Sequence, residues 1–245
     1  MNIENIITLN NSLRKLGFND SILEQLATNV SFKVPSFVIR QRMIKDKDVI
    51  NFYLAFELNE NSYCCVYYDA ILRKEIKIND TKISEIEVKE LDRRMAEVNW
   101  TDALQYHENK NLQIKDKTIW SKEEKVENIV TDLQTLEAVK EGQEIATRLK
   151  VKYWCDSEAE KIIGNLNSLR GKFEVSQRFY FFEGQGGISV EEAYRFLQNR
   201  WTEKQLLARK REMDNLKVNG QVDEKSNDSS GKGLLQTKRK NKKSV

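Results

Sequence analysis

The sequence predicts an α+β protein: an N-terminal helical hairpin, an antiparallel β-sheet with helices packed against one face, and a disordered basic C-terminal tail. Three observations carry this. Apolar residues near the N-terminus recur at helical spacing, then switch to a period of two after Ser36. Strand and helix patterns come in blocks instead of alternating, which argues against a doubly wound fold. The last stretch loses its apolar residues and gains lysines.

Ile3, Ile6, Ile7, Leu13 and Leu16 lie near helical spacing and stop at Gly17, a residue suited to a C-cap. Asn19 or Asp20 can cap a second helix carrying Ile22, Leu23 and Leu26. The next segment, Phe37 to Ile44, is expected to be a strand. Asp46-Lys47-Asp48 turns it into a second strand, where Ile50, Phe52, Leu54, Phe56 and Leu58 alternate. Asn59-Glu60-Asn61 reads as another turn, leading to a strand from Tyr63 to Leu72; the three make an antiparallel meander.

Ile83 to Val98 fits either state, with helix favoured after Glu87. Ser121 with Glu124 has the form of a capping box. It would open an amphipathic helix through Val126, Ile129, Val130, Leu133, Leu136 and Val139, ending near Gly142. Ser157 with Glu160 would open another, containing Ile162, Ile163 and Leu166, and Gly171 would close the connection after it. Lys172 to Phe182 returns to strand character. The loop Gly184-Gln185-Gly186-Gly187 follows, and Ser189 with Glu192 opens a helix bearing Val190, Tyr194, Leu197 and Trp201. Thr202 and Gln205 could cap it anew, with a bend there. The expected division is 1–80 (hairpin and meander), 81–170 (a largely helical insertion or subdomain), 171–217 (strand, glycine loop and helix) and 218–245 (tail).

The 245 residues carry a net charge of +3 and are 32% charged, with a mean hydropathy of −0.66. Such a chain can bury a core without disulfides or metal. Cys64, Cys65 and Cys155 are too few for a secreted disulfide framework, so they are expected to be free thiols in a reducing compartment. No apolar run approaches the ~20 residues of a membrane span, and the start has no signal-peptide pattern, so a cytoplasmic protein with no membrane partner is expected. Residues 218–245 hold seven Lys/Arg against three acids, a net +4, which leaves about −1 for residues 1–217.

Chemical motifs are sparse. His107, the only histidine, sits in a polar stretch without the partners that nucleophile activation requires. Asp69 and Glu87-Val88-Lys89 faintly match the Asp…Glu-x-Lys pattern of metal-dependent nucleases, which needs carboxylates on adjacent strand ends to hold Mg²⁺. A similar Glu/Lys grouping recurs at Glu123-Glu124-Lys125, so an ordinary solvated face is the simpler reading. The glycine loop lies where a phosphate could sit, but Glu183, Glu191 and Glu192 would repel an anion. No catalytic residue, metal ligand or cofactor is therefore expected.

Two nucleic-acid features stand out. Tyr63, Tyr67, Tyr68, Arg178, Phe179 and Tyr180 could form an aromatic stacking platform, although strand aromatics more often pack in cores. Lys238, Arg239, Lys240, Lys242 and Lys243 form a cationic cluster able to bind DNA or RNA phosphates by counterion release. With Arg178 and Tyr180 these are the candidate nucleic-acid-binding residues.

Two segments carry a resemblance. Ser176-Gln177-Arg178-Phe179-Tyr180, the glycine loop, and Ile188 to Arg200 with Glu192-Ala193-Tyr194 and Leu197 resemble a strand–loop–helix segment of an uncharacterised Bacteroidetes family often found on conjugative or mobilisable elements. Leu16-Gly17-Phe18 and Tyr67-Tyr68-Asp69-Ala70-x-Leu72 are similar to that family's opening. Asn199 stands where the family has glycine, and residues 80–170 would be an insertion. The resemblance implies a mobile-element accessory protein and supplies no activity, cofactor or catalytic residue. The expected function is thus a non-enzymatic accessory or adaptor protein acting through protein contacts, with helices 121–141 and 189–201 as candidate docking surfaces. Non-specific nucleic-acid binding is the alternative, and a metal-dependent nuclease the remote one.

Overall fold

A computed structural model describes residues 3–100, 117–157, 160, 166–182 and 186–228, in an α+β arrangement. The chain divides into two units, Met1–Gln198 and Asn199–Val245. Helices α1 (Ile3–Lys15) and α2 (Ser21–Ser31) form the N-terminal hairpin. Gly17 ends the first in the left-handed region at φ +95°, where glycine pays no Cβ penalty. Asn19 does the capping for α2, its Oδ1 accepting the Ser21 N–H at 3.1 Å. Asp20 makes no cap bond and pairs with Arg14 at 3.1 Å.

Strands β1 (Ser36–Lys45), β2 (Asp48–Asn59) and β3 (Ser62–Arg73) form the meander, and β6 (Glu174–Tyr180) adds to β3. The sheet is antiparallel with order β1-β2-β3-β6. Asp46 and Lys47 both take positive φ (50° and 70°), the geometry of a two-residue turn whose twist matches its strands. Between β3 and β6 in sequence, β4 (Lys82–Ile83) and β5 (Ile86–Glu87) make a separate small hairpin.

The register of β2 against β3 shifts between Ala55 and Phe56: Ala55 faces Tyr67, whereas Phe56 faces Cys65. Val66 is the extra residue of a bulge, and its carbonyl accepts the Phe181 N–H at 2.9 Å. One consequence is a change of parity. Tyr63 and Cys65 lie buried before the bulge, and Tyr68, Ala70 and Leu72 after it, all in one core.

That first core packs Ile6, Leu13, Phe18, Ile22, Leu26 and Val30 against Ile39, Ile50, Phe52, Leu54 and Phe56 of the sheet. Helix α7 (Val190–Asp228) closes it with Val190, Ala193, Tyr194 and Leu197. Its start is a full capping box: Ser189 Oγ accepts the Glu192 N–H, and the Glu192 carboxylate accepts the Ser189 N–H at 3.0 Å.

A second core gathers α3 (Val88–Glu97), α4 (Lys117–Ala138), α5 (Lys140–Trp154) and α6 (Asn167–Phe173). Its centre holds Leu91, Met95, Trp100, Ile129, Leu133, Leu136, Leu149 and Trp154. The apolar stripes of 121–141 and 189–201 therefore serve the protein's own cores, because each faces a neighbouring layer that needs covering.

Several expected boundaries move. The helix expected to open at Ser121 begins at Lys117, since serine is only mildly unfavourable inside a helix. It breaks at Val139, not near Gly142, because Val139 is extended (φ −110°, ψ 136°). Gly142 sits in the first turn of α5, where a Cβ would strike the Leu136 carbonyl oxygen. Gly171 lies inside α6. α7 continues through Thr202 to Asp228, past Asn219, because adding a residue to an existing helix costs little. Glu183, the first two residues of the glycine loop (184–185), His107, and Ile162 and Ile163 lie outside the described residues. Among the described residues, no helix is long and apolar enough to cross a membrane.

Candidate functional site

The helices cover one face of the sheet, and alternation sends every second side chain of the strands to the other. Along β1 these are Ser36, Val38, Arg40, Arg42 and Ile44, all exposed. Opposite them the register places Asn51, Tyr53 and Ala55 on β2, Tyr67, Asp69 and Ile71 on β3, and Ser176, Arg178 and Tyr180 on β6. Val38 is 58% exposed, Ile44 72% and Tyr180 50%. A shallow groove of ≈ 540 Å³ lies among Tyr53, Asp69, Ile71, Ser176, Gln177 and Arg178.

This outer face contains two of the residues expected to bind nucleic acid, Arg178 and Tyr180, together with Tyr67. Tyr63, Tyr68 and Phe179 belong to the opposite face, where they pack in the first core. The six-residue platform is thus split by strand alternation and by the bulge at Val66. Tyr53 and Arg40 join the outer face, and their even-odd placement on adjacent strands was the signal that could have found them.

Two of the three arginines on this face are engaged. Arg178 reaches both Asp69 oxygens at 2.8 Å and lies over the Tyr67 ring, 3.8 Å from its centroid. Tyr67 in turn meets Tyr180 edge-on at 6.0 Å. Arg40 binds Asp156 and Asn51 Oδ1, each at 3.1 Å, and sits over Tyr53. Arg178 is matched by a carboxylate of its own, whereas Arg40 shares Asp156 with Arg73 and Arg170.

At the end of the face that meets the second core, a buried ionic cluster closes the sheet. Arg73, cross-strand neighbour of Glu174, donates to Glu174 Oε1 and Asp156 Oδ2 at 2.6 Å. Arg170 joins Asp156 at 2.6 Å and Glu160 at 2.8 Å. The Asp156 side chain is only 2% exposed and that of Arg73 4%. Burial alone would raise the Asp156 pKa, but Arg73 and Arg170 outweigh it and hold the carboxyl below its ordinary value. Cys155 next to it is pushed up to about 11, chiefly by burial. Three arginines against three carboxylates leave the cluster internally balanced, which marks it as a junction and not as an anion site.

A second anchor is the buried Asp48 carboxylate, which accepts from Lys74 Nζ (2.5 Å), the Glu75 N–H (3.0 Å) and Tyr194 Oη (3.1 Å). It ties β2 to α7, and burial with this hydrogen bond pushes the Tyr194 phenol up to about 12.

The nuclease pattern does not assemble on adjacent strands: Asp69 lies in the four-stranded sheet, bound to Arg178, and Glu87 in the separate hairpin. Among the described residues, no group of three or more His, Cys, Asp or Glu side chains is placed to hold a metal ion. Lys238, Arg239, Lys240, Lys242 and Lys243 lie outside the described residues. No family model matches the chain, and neither a curated protein nor a solved structure matches it.

Proposed function

We propose that the protein is a non-enzymatic adaptor that binds another protein through the outer face of its sheet. The observation carrying this is an outer face on which Tyr180, Val38 and Ile44 are exposed and two of the three arginines, Arg40 and Arg178, are already paired. Tyr and Arg anchors are the side chains that dominate protein interfaces, whereas a phosphate-binding surface needs unpaired cations. Interaction is thereby moved from the amphipathic helices to the sheet. The resemblance of 176–200 to a mobile-element family is the ground for placing the protein among accessory factors of such elements.

A photo-crosslinking phenylalanine analogue at Tyr180, compared with one at exposed Glu24 on α2, tests the proposal in cells. Protein adducts specific to Tyr180 support it; nucleic-acid adducts, or equal yields at both sites, overturn it. The nucleic-acid alternative rests on the basic tail. It predicts salt-sensitive binding of labelled DNA or RNA that vanishes when the chain ends at Asp228, a cut that leaves α7 whole.

A further inference from the structure

Strand β1 is a terminal strand of the sheet, and its ten residues pair with β2 in unbroken register from Ser36 to Lys45. Edges of this length invite strand addition, and proteins blunt them with bulges, prolines or charge. Here the bulge lies in β3, and Pro35 precedes the strand. What remains is charge. The outer-face row runs apolar, basic, basic, apolar: Val38, Arg40, Arg42, Ile44.

That row discriminates between partners. If two copies of the chain paired antiparallel through β1 with Gln41 facing Gln41, Arg40 would face Arg42 twice. Sliding by one outer-face position sets Arg40 against Arg40 or Arg42 against Arg42. Like charges directly opposite are destabilising, so every near-central register with a second copy is opposed. The same row favours a strand with carboxylates at the two central positions. Arg40 is oriented by Asn51 and Asp156 through a single nitrogen, Nη2, leaving other donors of its five for a further acceptor. Arg42 is exposed and makes no ion pair among the described residues.

We propose that the β1 edge accepts an extended segment of a partner protein as a fifth strand, and that this segment reads apolar–x–acid–x–acid–x–apolar. Backbone hydrogen bonds to the edge supply affinity, and the alternate side chains supply selection. Val38 and Ile44 meet the apolar residues at either end; Arg40 and Arg42 meet the carboxylates. The proposal rests on the adaptor reading and names its partner's chemistry.

The probe is a capped peptide, Thr-Val-Thr-Glu-Thr-Glu-Thr-Val-Thr, titrated into the full chain, with a control in which both Glu are Lys. The Glu peptide is expected to bind about ten-fold or more tightly than the Lys peptide, since two cross-strand pairs change from attractive to repulsive. Arg42→Glu should reverse or erase that preference, and the bound Glu peptide should slow amide exchange in Ser36–Lys45. Methylating alternate backbone nitrogens on the peptide's pairing edge should abolish binding. Equal affinity for both peptides, no binding by either, or exchange unchanged in β1 overturns the proposal. Crosslinks from Tyr180, on the opposite edge strand, would stand in each of those cases, so the two readings fail separately.

Discussion

Asp156 pairs with three arginines while almost wholly buried, so its loss is felt by groups that cannot reach water. Asp156→Asn is expected to cost about 3–5 kcal/mol, the usual effect of removing one partner of a buried ionic cluster. Urea denaturation at neutral pH measures it. The pH dependence has a definite sign. Its folded pKa lies below the unfolded one, so the contribution is complete above about pH 4 and is lost as pH falls through the folded value. The asparagine variant should lack that part of the acid slope. Thiol chemistry offers a second check. Cys64 is exposed, whereas Cys65 and Cys155 are buried, with burial raising both pKa values. A disulfide reagent should label one thiol per native chain and three after unfolding.

Among the elements, the junction of α1 with α7 is the most constrained. The Leu16 carbonyl accepts the Val190 N–H at 2.8 Å, and Gly17 sits between them at positive φ. A Cβ there would lie 3.3 Å from Val190 Cβ. Gly17→Ala therefore combines a left-handed backbone with a tight contact and should cost roughly 1–2 kcal/mol or more, read as a lower urea midpoint. The outcome for individual elements depended on whether their cause is local. The Asp46-Lys47 turn and the Ser189–Glu192 box were legible because a few adjacent residues decide them. The Ser121 box was not, because serine is also tolerated inside a helix that tertiary packing extends. The two tyrosines at 63 and 67 have the same parity yet point to opposite faces, and only the bulge at Val66 separates them.

At the scale of the folded body, two cores meet where Arg73 follows Leu72 and where Glu174 separates Phe173 from Val175. Leu72 and Val175 belong to the first core, and Phe173 to the second; the ionic cluster occupies the seam. Each core has its own apolar centre, so each is expected to open by itself. Leu133→Ala should cost about 2–5 kcal/mol and speed amide exchange in 117–154, while β1–β3 keep their protection. Loss of protection in both regions together would instead mark one cooperative body.

The sequence by itself determined the class of fold, the helical hairpin, the meander and the helical character of the middle. Those follow from hydrophobic period and from turn and cap residues, which act over a few neighbours. Only the tertiary structure decided that β6 joins β3, that Asp156 collects Arg40, Arg73 and Arg170 from distant segments, and that Arg178 pairs with Asp69. It likewise turned the apolar stripes of the amphipathic helices inward. Pairing across more than a hundred residues depends on which surfaces remain uncovered after local elements form, and periodicity within one element carries no record of that choice.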